Sequence, residues 1–130
     1  MNKEWLDQVF NMDALEGIKM LPDNSVDLVV ADPPYNLGKD YGNDSDKQTS
    51  KKFLLWTEQW LNLIIPKIKE TGSLYIFTTW RYSPEVFVFL KSQMLMMNEI
   101  ICATGVARQS GTRYFMFYLN VNPSLIPAIA

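Results

Sequence analysis

Asp32-Pro33-Pro34-Tyr35 combines residue types that could do chemistry. A carboxylate stands next to a backbone carbonyl held between two proline rings, which fix φ and bring no N–H that could compete for an acceptor. Two acceptors converging on one amine would draw on its hydrogens and move the nitrogen towards a tetrahedral, more nucleophilic state. The exocyclic amine of adenine or cytosine needs that help, because its lone pair is delocalised into the ring. Asp32 offers one acceptor and the Pro33 carbonyl the other. Tyr35 adds an aromatic face for an extruded base, a contact worth about 1–3 kcal/mol in single-strand binding. The plain alternative is a turn, which Asp-Pro-Pro also makes well.

The elements around the tetrapeptide decide between these readings. Val26-Asp27-Leu28-Val29-Val30-Ala31 is a valine-rich run, apolar but for Asp27, expected as a strand buried on both faces. Two prolines stop it, since neither can donate to a sheet ladder. The tetrapeptide is therefore expected at the carboxyl end of a strand, where open α/β sheets bind ligands. Upstream, Gln8 to Asn11 reads as a short strand and Asp13 to Met20 as a helix, with Asp13 able to cap its first turn. Leu21 to Ser25 has strong turn chemistry.

Downstream, Asn36 to Ser50 reads as a polar surface loop. A helix is expected from about Lys51 to Ile65, with Phe53, Trp56, Trp60, Leu61, Ile64 and Ile65 as its apolar stripe and Pro66 as its end. Trp56 and Trp60, four residues apart, are expected in the core. Gly72 punctuates before a strand from Ser73 to Thr79, and Pro84 opens a helix running to about Met97, where Met94, Met96 and Met97 fill core space. A strand from Asn98 to Cys102 follows. Trp80, Arg81 and Tyr82 fall at the same ligand-binding edge, as a base contact or as a loop anchor. In the tail beyond Ala103, one strand is expected around Arg113 to Val121, and no period is evident from Asn122 onward. Strands alternating with helices imply an α/β, doubly wound layout with a mainly parallel sheet and flanking helices.

Composition narrows the function. The chain has 130 residues, 48% of them hydrophobic, which suits one domain or a piece of one. It contains no His, which removes Ser-His-Asp catalysis and His-bearing metal sites, so no metal is expected. The single cysteine, Cys102, suits a reducing cytoplasm and is expected as a small buried hydrophobe rather than a nucleophile. A net charge of -2 argues against binding nucleic acid by bulk electrostatics. Contact with it must then come from a shaped pocket or from residues outside this chain. Asp32, Pro66 and Lys91 interrupt the apolar runs, so no membrane span is expected, and the acidic start does not read as a leader peptide.

The sequence resembles the amino-group DNA methyltransferases, which methylate adenine N6 or cytosine N4 with S-adenosylmethionine. The matching text runs Asn11-Met12-Asp13-Ala14-Leu15, then Leu21 to Leu37 through Asp32-Pro33-Pro34-Tyr35, then Trp60-Leu61 and Ile68 to Phe77. Its N-terminal catalytic motif is similar to the permuted group of the family, whose cofactor loop comes last. The resemblance implies a Rossmann-like S-adenosylmethionine-dependent methyltransferase fold, here incomplete. It implies DNA as partner, a restriction-modification or phage setting, Asp32, Pro33, Pro34 and Tyr35 on the target base, and Asp13 on the cofactor's adenine. Adenine is the favoured target. Methylation of RNA or of protein glutamine is the enzyme alternative, though those sites commonly resemble Asn-Pro-Pro-Tyr.

Two departures from the family stand out. The glycines are Gly17, Gly38, Gly42, Gly72, Gly105 and Gly111, so the Phe-x-Gly-x-Gly cofactor loop is absent from this chain. Resemblance also stops near Ile101. Residues 1–101 are therefore expected to form the catalytic half of a methyltransferase domain. Residues 102–130 are expected to be a divergent tail, from truncation or a frameshift, with the final strands missing and the Val26–Ala31 strand left with an apolar open edge. An inactive remnant is the alternative to an enzyme.

Overall fold

The computed structural model describes residues 5–38, 42, 47–103 and 113–121. Among the described residues, four strands and three α-helices follow one another as α1 (Ala14–Lys19), β1 (Val26–Ala31), α2 (Ser50–Ile64), β2 (Ile68–Thr79), α3 (Ser83–Lys91), β3 (Met94–Ala103) and β4 (Arg113–Val121), with a 3-10 turn at Ile65–Lys67 between α2 and β2. The sheet order is β1-β2-β4-β3. β1 and β2 are parallel, whereas β4 runs antiparallel to both β2 and β3. Three strands thus share one direction and β4 is reversed between two of them, so the sheet is mixed.

Side-chain alternation divides the sheet into two unlike faces. Leu74, Ile76, Phe117 and Leu119 are at most 1% exposed and meet Phe53, Trp60, Leu61 and Ile64 of α2 and Val86 and Leu90 of α3 in one core. On the opposite face Tyr75 stacks on its cross-strand partner Tyr118 at 4.6 Å between ring centroids, and Ser73 Oγ donates to Asn120 Oδ1 at 2.9 Å. Leu28 and Val30 on β1 share that face and stand 54% and 64% exposed. Among the described residues the helices cover one face only, and β1 has a sheet partner on one side only. The expectation that β1 is buried on both faces therefore fails. Its valine-rich composition reflects an apolar surface that these residues do not cover.

Several other elements differ from expectation. Gln8 to Asn11 form no strand, and Val9 is fully exposed. α3 ends at Lys91 and β3 begins at Met94, so Met94 to Met97 belong to a strand rather than a helix. Met94 is buried at 2% exposure, but Met97 is 48% exposed and fills no core space. β4 has the bounds expected for it and lies between β2 and β3, so the sheet continues beyond the boundary drawn at residues 101 and 102. The Cys102 side chain, Arg108 and residues 122–130 lie outside the described residues.

Gly72 lies inside β2 and marks a close approach, not a break. A Cβ built there would sit 2.5 Å from Ile68 Cγ2 and 3.0 Å from the carbonyl oxygens of Lys69 and Val26. The β1–β2 register shifts between Val26 and Leu28, beside this point. Two backbone oxygens and a stiff β-branched side chain cannot all retreat. Gly72→Ala is accordingly expected to lower stability by about 1–3 kcal/mol, read as the midpoint of urea unfolding. Asp27, exposed on β1, pairs with Lys69 on β2 at 2.7 Å, a surface contact worth about 0–1 kcal/mol.

Candidate active site

Asp32 follows directly on Ala31, the last residue of β1, and Ala31 pairs with Ile76 of the parallel strand β2. The tetrapeptide thus emerges at the carboxyl edge of the sheet. A cleft of about 430 Å³ opens beside it, walled by Ala14, Leu15 and Ile18 of α1, by Val29 to Ala31, and by Trp56, Trp60 and Ile64 of α2. Asp13, Asp32, Pro33 and Pro34 complete its lining. Those four sequence-selected residues therefore share one cavity, although Asp13 and Asp32 are nineteen positions apart. Tyr35 is not part of the lining. Its hydroxyl donates to Asp32 Oδ1.

Asp13 has a structural task as well. Its Oδ1 accepts from the Leu15 backbone N–H at 2.8 Å and caps α1. Capping engages one carboxylate oxygen in the wall of the cleft. Trp56 and Trp60 are packed one turn apart, 6.4 Å between centroids, as core positions require, yet both also face the cleft. The buried Trp60 Nε1 has no hydrogen-bond partner among the described residues.

Sequence reasoning missed Asn36. Read as the start of a polar surface loop, it is instead 5% exposed and adopts a φ of 55°, which asparagine tolerates better than most residues. Its Oδ1 accepts from the Gln48 N–H at 2.7 Å, and its Nδ2 donates to the Gln48 carbonyl at 2.9 Å and to the Tyr82 hydroxyl at 2.7 Å. Tyr82 is 2% exposed, packs its ring against Phe53 at 4.5 Å and shares a 3.2 Å hydroxyl contact with Ser50. It is therefore the loop anchor, while Trp80 beside it is 56% exposed. A φ-tolerant Asn directly after the tetrapeptide was the available signal, and polarity alone hid it.

If Tyr35 contributes its ring to a base, removing the hydroxyl and removing the ring have different outcomes. Tyr35→Phe is expected to keep nucleic-acid affinity within about threefold, whereas Tyr35→Ala is expected to lose about 1–3 kcal/mol of it. Titration with single-stranded oligonucleotides by fluorescence anisotropy separates the two.

A carboxylate after the first of two parallel strands, on the rim of an apolar cleft, lies where open α/β sheets bind their ligands. The family model described as DNA methylase matches residues 26–116, and the chain belongs to this N6/N4 DNA methylase family. It is 37% identical over 83 residues to the type II methyltransferase M.HpaI of Haemophilus parainfluenzae, a match spanning 64% of this chain and 26% of that protein. Among solved structures, the cytosine-N4-specific PvuII DNA methyltransferase superposes with a TM-score of 0.67 at 13% identity, over 84% of this chain and 47% of that one. M1.HpyAVI in complex with SAM gives 0.57 at 20% identity, over 88% and 55%. The fold is thus a partial Rossmann-like methyltransferase fold. The chain spans about a quarter of the curated relative and about half of the solved structures.

Proposed function

We propose that this chain carries the amine-activating part of a DNA methyltransferase site, acting on adenine N6 or cytosine N4 with S-adenosylmethionine as methyl donor. The observation that carries the reading is Asp32 at the end of β1, on the rim of a cleft whose volume falls in the range of roughly 300–1,000 Å³ typical of small-molecule sites. The residues present fit that donor: the wall of Val29, Leu15, Ile18 and the two tryptophans suits a purine ring, and Asp13 suits polar groups on it. The bound donor would supply an electrophilic methyl group on a sulfonium sulfur.

The chain's own residues do the rest. Asp32 and the Pro33 carbonyl accept the two amine hydrogens, so that the nitrogen lone pair is freed from the ring as the nitrogen attacks. Transfer of the donor's methyl group to that nitrogen would leave a surplus amine proton, which the Asp32 carboxylate takes up and passes to water. The Tyr35 ring stacks on the extruded base. Its hydroxyl donates to Asp32 Oδ1, and the carboxylate keeps further lone pairs for the amine. No covalent enzyme intermediate is needed.

One observation favours a second reading, a non-catalytic remnant: no two of the six glycines are close enough in sequence to form the Gly-x-Gly turn that lets backbone approach such a cofactor. Calorimetric titration of the purified chain with S-adenosylmethionine decides between them. Saturable binding, abolished by a bulky substitution in the cleft such as Ala14→Trp, supports the enzyme. Absence of binding to a folded chain favours the remnant.

A further inference from the structure

We propose that Asn36 and Tyr82 form a latch that fixes the direction of the Asp32–Tyr35 segment, and that both are positioning residues for it. This inference rests on the proposed function for its catalytic consequence, but the latch itself does not depend on it.

The two prolines of the tetrapeptide contribute no N–H, so backbone hydrogen bonding cannot anchor it by donation at Pro33 or Pro34. Asp32 is exposed, and the segment leaves the sheet once β1 ends at Ala31. A catalytic acceptor must nevertheless be held within about half an ångström of its working position, by side chains that are themselves locked. The next residue supplies the fixed point. Asn36 is buried, turns the chain with a positive φ, and places its amide against the N–H and C=O of Gln48 like a short strand pair. Gln48 directly precedes Thr49, the N-cap of α2.

Tyr82 ties this pair to the sheet. It follows β2, accepts the first backbone bond of α3 from Val86 N–H at 3.1 Å, and donates its own N–H to the Thr79 carbonyl at 3.1 Å. Its ring is fixed by Phe53 of α2, and its hydroxyl meets both Asn36 and Ser50. Three segments at the carboxyl edge of the sheet, namely those after β1, before α2 and after β2, are therefore joined through two buried side chains. Buried side-chain hydrogen bonds of this kind specify one arrangement, since breaking any of them leaves a desolvated polar group.

Amide hydrogen exchange on the full 130-residue chain tests the latch without reference to activity. Asn36→Gly keeps the positive φ but removes every side-chain bond. The Gln48 amide is then expected to exchange about tenfold faster or more, the equivalent of one hydrogen bond, with Ile76 and Leu119 unchanged. Tyr82→Phe keeps the ring against Phe53 and removes only the hydroxyl. It is expected to speed exchange at Tyr35 and Leu37, and it decides the matter if Asn36→Gly also loosens the core. Wild-type exchange at these amides in both variants overturns the latch.

A second readout separates positioning from mere structure. In methyl transfer to unmethylated genomic DNA, kcat is expected to fall at least about tenfold with the KM for S-adenosylmethionine unchanged, and Asn36→Asp, which keeps the Gln48 acceptor, is expected to recover part of it. A variant with fast exchange and a wild-type kcat overturns the positioning role. If the unaltered chain transfers no methyl group at all, the proposed function fails by itself, and the exchange data still decide the latch.

Discussion

Asp32→Asn is expected to lower methyl transfer about 10²–10³-fold, the usual cost of removing one preorganised hydrogen-bonding group from a reacting centre. The reason is specific to the amine. An asparagine carbonyl is a weaker acceptor than a carboxylate, and the side-chain NH2 can turn towards the base amine and repel it. Because Asp32 is exposed and lies beyond the last residue of β1, the same change is expected to shift the thermal midpoint by no more than about 2 °C, as surface substitutions generally do. Rate and midpoint together separate a chemical role from a structural one. A rate within threefold of the unaltered chain would remove Asp32 from the reaction.

Phe117→Ala is expected to cost about 3–5 kcal/mol, which is much of the stability of a domain of this size. Phe117 is fully buried at the middle of β4, pairs with Ile76 on one side and Glu99 on the other, and meets Phe87 of α3 at 5.9 Å between centroids. Removing its ring opens a cavity between sheet and helix that no neighbour can fill without moving both. Urea unfolding followed by tryptophan fluorescence measures the loss. A change below about 1 kcal/mol would show that residues 113–121 add little to the core, contrary to their central place in the sheet.

These two residues also mark what the sequence made legible. β1 was readable because a valine-rich run ends against two prolines, and the carboxyl-edge position of Asp32 follows from that alone. β4 was readable as an aromatic and apolar run, Tyr114 to Leu119, of the residue types that strands favour. Its neighbours were not, since pairing partners lie far apart in the chain and leave no local signal. The α3–β3 boundary was misplaced for a related reason. Met94, Leu95, Met96 and Met97 are good helix formers, and only the pairing of the first three with Val121, Asn120 and Leu119 makes the segment strand, with Met97 at the register shift.

The cleft shows the same division. Asp13 and Asp32 to Pro34 each carry a local signature, a cap and a rigid turn, and the structure brings them to one cavity because α1 packs against α2 beside β1. Asn36 and Gly72 had signatures too, but each was ambiguous. An Asn in a polar stretch reads as solvent-facing until Gln48 and Tyr82 are seen around its amide. A Gly before a strand reads as a break until Val26 is found 3.0 Å from where its Cβ would be.

The most direct test supplies the purified chain with S-adenosylmethionine labelled in its methyl group and with unmethylated genomic DNA, then digests the DNA to nucleosides and locates the label by mass spectrometry. Label on an exocyclic nitrogen, as N6-methyldeoxyadenosine or N4-methyldeoxycytidine, and its disappearance with Asp32→Asn, is the expected result. Label on a ring carbon, or equal labelling by the Asp32→Asn chain, would contradict activation of a base amine by this carboxylate.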